Sequence, residues 1–371
     1  MKETVIIVGA GIVGCAIARE LAIRGIRCTV VDPRPVAGGA TQASAGMLAP
    51  YVEAHEGGPM LELCVRSLAL YDGWIARLRD EGHDIDYARS GTLEIALSED
   101  QASRLRAGHG EWLDPNTVAR EVPQLARTAG GLRNRPHGYV NARHLAAALA
   151  ASAARHGTTF LGARVGRIDR DGNGLVLDVG PGAGKLESRT VVLAAGAWTN
   201  DIAGVRTPPL RPVRGQLLQM VPALGRITTI LWGPDCYIVP LRMGSELLVG
   251  ATVEEAGFNE YTTEEGVRGL YAAARTLLPG LPADIRDVSV EPRVGLRPAT
   301  PDDLPVLGTD PEQPGIVFAS GHYRNGILLA PITGQLVADL IVEGTKDRAL
   351  ETFSPTRFFN SKAQRHKGTK N

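Results

Sequence analysis

The stretch Thr4-Val5-Ile6-Ile7-Val8-Gly9-Ala10-Gly11-Ile12-Val13-Gly14 decides how this chain begins to fold. Its first five residues are β-branched and run into glycine, the pattern of a short strand buried on both faces. Gly9, Gly11 and Gly14 fit G-x-G-x-x-G. Residues 12–24 then carry apolar side chains at helical spacing (Ile12, Cys15, Ala16, Leu21, Ile23) up to Gly25, an expected C-cap. Residues 27–31 read as a second strand that ends at Asp32. In such a unit the first glycine permits a tight turn, the second lets backbone approach a pyrophosphate, and the third lets the helix pack on the strand. Phosphate then meets free N–H groups at the positive end of the helix. Asp32, 18 residues beyond Gly14, is placed to accept from a ribose hydroxyl. Arg34 stands where the 2′-phosphate of NADP would be met, so this unit alone leaves the dinucleotide open.

Outward from it, the nucleotide fold is not continued at once. Residues 38–46 are rich in Gly, Ala, Ser and Thr and read as a loop packed against something, small enough for a planar ring system to approach its backbone. Residues 59–79 read as a helix, 83–97 as short strands, and 140–155 as an alanine-rich helix capped near Asn141. Buried strands of the parallel type return only at 158–165, 190–195 and 316–320, the last followed by a helix over about 328–343. A strand at 174–179 follows a tight turn at Gly172-Asn173. Between 211 and 252 short alternating strands (215–221, 228–232, 236–240, 246–250) predict a mainly antiparallel sheet. A nucleotide domain interrupted by other material favours FAD over NAD.

Composition excludes several classes. Lys plus Arg equals Asp plus Glu at 40 each, so no net field draws the chain to nucleic acid or to an anionic membrane surface. The four cysteines have no Cys-x-x-Cys pair, which argues against a disulfide framework or a zinc site and for a reducing cytoplasm. Glu3 and the interrupting glycines oppose a signal peptide, and no apolar run reaches the length of a membrane span. The eight histidines show no metal-ligand spacing; His55, His137 and His322 lack companions. Ser44 and Ser320 lack the elbow of a serine hydrolase. No metal is expected.

Four further stretches carry a resemblance: residues 43–48 (Ala-Ser-Ala-Gly-Met-Leu), 236–240 (Cys-Tyr-Ile-Val-Pro), 295–298 (Gly-Leu-Arg-Pro) and 321–331 (Gly-His-Tyr-Arg-Asn-Gly-Ile-Leu-Leu-Ala-Pro). With them nearly the whole chain resembles the D-amino-acid oxidase family of FAD-dependent oxidoreductases, and within it the glycine oxidases of thiamine biosynthesis. The resemblance implies an α/β fold. Its discontinuous Rossmann-like FAD-binding domain would take residues 1–50, 140–205 and 290–350. A mixed, mainly antiparallel substrate domain with helices would take 51–139 and 206–289, and 355–371 would form a polar tail that includes Arg357, Lys362, Arg365, Lys367 and Lys370. It implies non-covalent FAD and a homo-oligomer. The implied reaction takes glycine or another small amino acid, by hydride transfer to flavin N5, to an imino acid. Glyoxylate or an α-keto acid, ammonia and hydrogen peroxide follow, with oxygen as co-substrate.

Carried over by position, the resemblance implies that Arg297 grips the substrate carboxylate, for which a planar fork is better suited than lysine. It gives Tyr237 a hydroxyl contact to the same carboxylate. Arg324 becomes either a second active-site arginine or the group that orients the loop over the flavin. Thr41, Ala45, Gly46, Met47, Val165, Gly196 and Trp198 join Gly9, Gly11, Gly14 and Asp32 as cofactor contacts, Val165 at the adenine. The Gly326-Ile327-Leu328 turn would offer N–H groups to the pyrimidine edge of the flavin. Val253 departs from the methionine of some glycine oxidases, and Ala49, Pro50 and Tyr51 are bulky for the substrate entrance. D-amino-acid or sarcosine oxidation, a dehydrogenase with another acceptor, an NAD(P) enzyme and an inactive flavin subunit remain alternatives.

Overall fold

The computed structural model describes residues 4–53, 57–180, 184–345 and 347–359. Strand Thr4–Val8, helix Ile12–Ile23 and strand Arg27–Val31 stand where the sequence places them. The helix sits close on its strand because Gly14 has no side chain: a Cβ there would collide with the Gly9 carbonyl oxygen. Gly9 itself has φ 112°, and a Cβ on it would collide with the Ala194 carbonyl. Arg24 is the C-cap. Gly25 takes the left-handed position just beyond it, its N–H reaching Ala22 O at 2.9 Å while Ile26 N reaches Leu21 O at 3.0 Å.

Thr4–Val8 lies inside a six-stranded sheet. The order is Val306–Thr309, Ile316–Ser320, Val191–Leu193, Thr4–Val8, Arg27–Val31, Thr159–Leu161, parallel except for the first. One face is covered by helices Ile12–Ile23, Ala142–Arg155 and Ala330–Glu343, with a shared core of Val5, Ile7, Cys15, Leu145, Leu149 and Val337. Asn141 caps the second of these through the N–H groups of Arg143 and His144. The antiparallel meander Arg167–Asp171, Gly174–Asp178 and Lys185–Ser188 covers the other face.

The second sheet has eight strands: Ser289–Ala299, Arg211–Val221, Glu246–Gly250, Tyr237–Leu241, Ile230–Trp232, Thr92–Ala96, Gly130–Asn134 and Glu111–Leu113. All neighbours are antiparallel except Ile230–Trp232 with Thr92–Ala96. Helices Pro115–Glu121 and Glu264–Leu277 bury Leu93, Leu218, Leu231, Ile238 and Val249 on one face. Leu217, Ile230, Val239 and Leu248 on the opposite face pack on Ala45 and Tyr139.

Three expected boundaries are corrected. Ser289–Ala299 pairs residue for residue with Arg211–Val221, so residues 290–299 belong to the second sheet. As an edge strand it tolerates Pro292 and Pro298, whose missing N–H groups cost no ladder bond. Helix Gly58–Asp80, expected within the second domain, buries Leu63, Leu68, Tyr71 and Trp74 in the core of the first. The chain at 355–359 is not tail: Arg357 Nε reaches Asp302 at 2.8 Å and Phe359 meets Phe318 at 6.2 Å. The rest of that tail and His55 lie outside the described residues. Strand 158–165 shortens to Thr159–Leu161, and the helices Glu99–Leu105, Pro115–Glu121 and Glu264–Leu277 were not legible as elements.

Two predictions test this packing. Gly14→Ala forces apart a helix and a strand that touch, so the denaturant midpoint of the purified protein should fall by the equivalent of about 1–3 kcal/mol. Glu94 is buried in the second sheet, only 4% exposed, and burial lifts its carboxyl from the ordinary 4.5 to about 7. Its folded pKa exceeds its unfolded one, so this group's contribution to stability is full below pH 4.5 and is lost as pH rises through 7. Glu94→Gln should therefore stabilise the protein at pH 8, by up to about 3 kcal/mol, and leave it unchanged near pH 4; urea melts at the two pH values decide it.

Candidate active site

A cavity of about 370 Å³ runs between the two sheets, from Asp32, Val165 and Trp198 to Tyr237, Arg297 and Arg324. At the first end the turn after Thr4–Val8 is held by its own acid. Asp32 Oδ2 accepts from Ala10 N at 2.8 Å and Oδ1 from Arg34 N at 2.8 Å. The Thr41 hydroxyl, buried in the short turn Ala40–Ala43, accepts from Ile12 N at 3.1 Å at the helix start. Gly11 is different from its neighbours: a Cβ would meet only Thr41 Oγ1, at an ordinary 3.6 Å. Protein packing does not demand glycine there, whereas close approach of a ligand does. Gly46 is demanded by packing, since a Cβ would strike the Val140 carbonyl, and Gly196 by its φ of 57°.

Arg34 is already committed. Its guanidinium grips Glu260 at 2.8 and 2.7 Å and lies 4.1 Å above the Trp198 ring, which Phe258 flanks at 6.0 Å. That pairing removes the 2′-phosphate reading of Arg34. Cys15, beneath the turn, is buried and inert; burial first, then the Asp32 carboxylate, pushes its thiol up to about 12.

At the other end, the strand Ser289–Ala299 presents Arg297 to the cavity. Its guanidinium lies flat over Gly215 of the neighbouring strand, where a Cβ would collide with it. Nη1 donates to Thr252 O at 3.0 Å and to Arg214 O at 3.3 Å, and among the described residues no carboxylate pairs with it. Tyr237 stands opposite Gly250 in the register, and its phenol fills the space that a side chain on Gly250 would take. Trp232 supports the tyrosine at 5.5 Å. Both side chains are half-buried, both lie on the cavity face, and each depends on a glycine within a strand.

The turn at 321–329 closes the cavity. Tyr71 OH donates to Ile327 O, and Ser67 Oγ to Leu328 O at 2.6 Å, both from helix Gly58–Asp80. In a trans peptide C=O and N–H point opposite ways, so tying the Ile327 carbonyl to that helix turns the Leu328 N–H away from it. Asn325 Oδ1 is buried with no partner among the described residues, and Asn325 lines the cavity. Arg324 is exposed and stacks on Tyr323 at 5.5 Å.

The structure thus brings Gly9, Gly11, Asp32, Thr41, Ala45, Gly46 and Met47 to the cavity, together with Val165, Gly196, Trp198, Gly326, Ile327, Arg297, Tyr237 and Arg324. Gly14 and the Leu328 side chain are not in its lining; the first packs the helix and the second is buried behind the turn. Val253 lies at the rim, 62% exposed. Ala49, Pro50 and Tyr51 do not line the cavity: they open helix Pro50–Glu53, with the Tyr51 ring 5.3 and 5.5 Å from His109 and His137. Gly215, Gly250, Thr252 and Glu260 were missed. A glycine inside a strand often marks close approach of another group, and that signal was available for the first two.

A family model described as FAD dependent oxidoreductase matches residues 4–340. The chain belongs to this family. The glycine oxidase of Geobacillus kaustophilus is 37% identical over 96% of this chain and 97% of its own. The crystal structure of glycine oxidase from that organism superposes with a TM-score of 0.87, covering 96% of this chain and 99% of that one. The bifunctional ThiO/ThiG protein of a Nostoc species is 38% identical over 96% of this chain. The chain spans about half the length of that relative, 55%.

Its cofactor is FAD, and the cavity fits it. Gly11 leaves room for a pyrophosphate at the helix start, Asp32 retains lone pairs for a ribose hydroxyl, and the orphaned Asn325 Oδ1 wants a donor such as a ring N–H. Among the described residues no helix is long and apolar enough to cross a membrane. Gly11→Ala should leave folding intact, as nothing in the protein opposes the methyl group, yet weaken FAD binding tenfold or so by crowding the phosphates. Flavin fluorescence on dilution measures it, and an unchanged Kd would place the pyrophosphate elsewhere.

Proposed function

We propose that this enzyme oxidises a small amino acid, glycine foremost, at the end of the cavity lined by Arg297 and Tyr237. The observation that carries this reading is the guanidinium pinned over Gly215 by the carbonyls of Thr252 and Arg214, with its charge turned to the cavity and the Tyr237 phenol nearby. Arg297 holds a carboxylate through its free edge, and Tyr237 donates to the same group. Together they fix the substrate Cα, so the protein contributes orientation more than acid–base chemistry. Bound FAD, held without a covalent link, supplies the two-electron acceptor for the Cα–H hydride.

A substrate that enters as the free amine needs no protein base. His322 is not one: burial lowers its pKa to about 4, and its Nε2 is engaged with Thr333 Oγ1 at 3.0 Å. The imino acid released takes up water to give glyoxylate and ammonia, and oxygen accounts for the electrons as hydrogen peroxide. Gly326 and the Ile327 turn, with Thr41, Ala45, Gly46, Met47, Val165, Gly196 and Trp198, are the proposed FAD contacts, and Arg324 guards the open side. Family resemblance supports a cytoplasmic homo-oligomer with a role in thiamine biosynthesis. The exposed rim at Val253 favours sarcosine and D-amino acids as a second reading.

Anaerobic titration with glycine should bleach the flavin, and air should restore it quickly. Slow restoration would point to a dehydrogenase, and no bleaching to sarcosine or a D-amino acid. Arg297→Ala should raise KM for every carboxylate substrate roughly 10- to 100-fold, the worth of a charge-assisted hydrogen bond, while FAD stays bound. Unchanged kinetics would remove Arg297 from the site.

A further inference from the structure

Behind Arg297 lies a polar knot of Arg214, Gln216, Glu254 and Thr263, none of which lines the cavity. The segment 251–263 leaves strand Glu246–Gly250 and is stitched to strand Arg211–Val221. Arg214 N donates to Glu254 O at 2.9 Å, and Glu254 N to Arg214 O at 3.0 Å. The Glu254 carboxylate then takes the Arg214 guanidinium at Nε (2.9 Å) and Nη2, and its other oxygen takes Gln216 Nε2 at 2.7 Å. Gln216 is fully buried. It also accepts from Thr263 N at 2.7 Å and donates to Thr263 Oγ1 at 3.0 Å, while its backbone exchanges bonds with Thr252 at 2.8 and 3.1 Å.

The two carbonyls that hold Arg297 belong to Arg214 and Thr252, the residues that this knot fixes. Arg214 is only 7% exposed, so without Glu254 its buried charge would be uncompensated and would pull on those same carbonyls. Burial tends to raise the Glu254 carboxyl, but hydrogen bonds from Thr252, Gln216 and Arg214 outweigh it and hold the group below its ordinary value, hence charged.

We propose that Glu254, acting through Arg214 and Gln216, is a positioning residue that sets the direction of the Arg297 guanidinium and so the grip on the substrate carboxylate. This rests on the reading of Arg297 given above. Neither Glu254, Arg214 nor Gln216 lines the cavity, and the carbonyls of Arg214 and Thr252 join the knot to Arg297. A residue that merely stabilised the fold would act independently of Arg297.

The test is a double-mutant cycle on the FAD-loaded enzyme, read by the change in flavin absorbance on titration with acetate, a carboxylate that cannot be oxidised. Glu254→Gln should raise the acetate Kd about fivefold or more and raise KM for the amino-acid substrate with little change in kcat. In an Arg297→Ala background the same substitution should add nothing. Equal losses in both backgrounds, or an unchanged Kd with Arg297 present, would overturn the proposal. Gln216→Met carries the same test should Glu254→Gln fail to fold, and loss of fold or flavin in both makes the knot a stability element and sinks the idea. An unchanged acetate Kd in Arg297→Ala itself would instead defeat the parent reading of Arg297.

Discussion

The antiparallel pairing of Ser289–Ala299 with Arg211–Val221 is the contact on which the site depends. It runs eleven residues on each strand, and its middle, at Gly295, rests on the nucleotide side. A Cβ on Gly295 would stand 3.0 Å from Ala43 Cβ and 3.1 Å from Ala40 Cα, so that strand and the turn Ala40–Ala43 are in contact. The same turn places the Thr41 hydroxyl on the first helix. One strand pair therefore fixes both the place of Arg297 and, through four residues, the start of the first helix. A shift of one residue in that register would turn Arg297 to the opposite face of the sheet.

Within this frame the cavity is made by what is missing. Gly215 inside one strand and Gly250 at the end of the next remove side chains, and the guanidinium of Arg297 and the phenol of Tyr237 lie in the vacated space. Glycine costs stability in a strand, because it has no side chain to pack and loses more chain entropy. Here that cost is offset by large, flat polar side chains held against the sheet. Gly11 plays the matching part at the other end, where no protein atom needs the room.

Charge is arranged to the same effect. Arg34 and Arg214 are each matched with a glutamate from the segment 251–263, Glu260 and Glu254, while among the described residues Arg297 has carbonyl partners only. A guanidinium satisfied by neutral acceptors keeps its charge for an anionic ligand. The same segment thus reaches lining residues at both ends of the cavity, Phe258 against Trp198 at one and the Thr252 carbonyl against Arg297 at the other.

Local pattern alone determined the opening unit. Five β-branched residues, three spaced glycines, a helical period and an acid leave few other foldings, because each feature lies within a few residues of the one it must meet. The return strand at 316–320 and the helix after it were legible for the same reason; Arg297, Tyr237 and Arg324 were singled out through resemblance to a family, and the structure places them on the cavity. Tertiary structure alone decided the rest. Helix Gly58–Asp80 reads as an amphipathic helix wherever it packs, and only the fold assigns it to the first core, where Ser67 and Tyr71 hold the turn at 321–329. Strand Ser289–Ala299 is interrupted by prolines that a sequence reads as loop, and only its place at a sheet edge makes them harmless. Arg34 sits two residues past an acid in sequence, yet its partner Glu260 is 226 residues away. Such pairings carry no local signature, because their energy is realised only when distant segments are brought together.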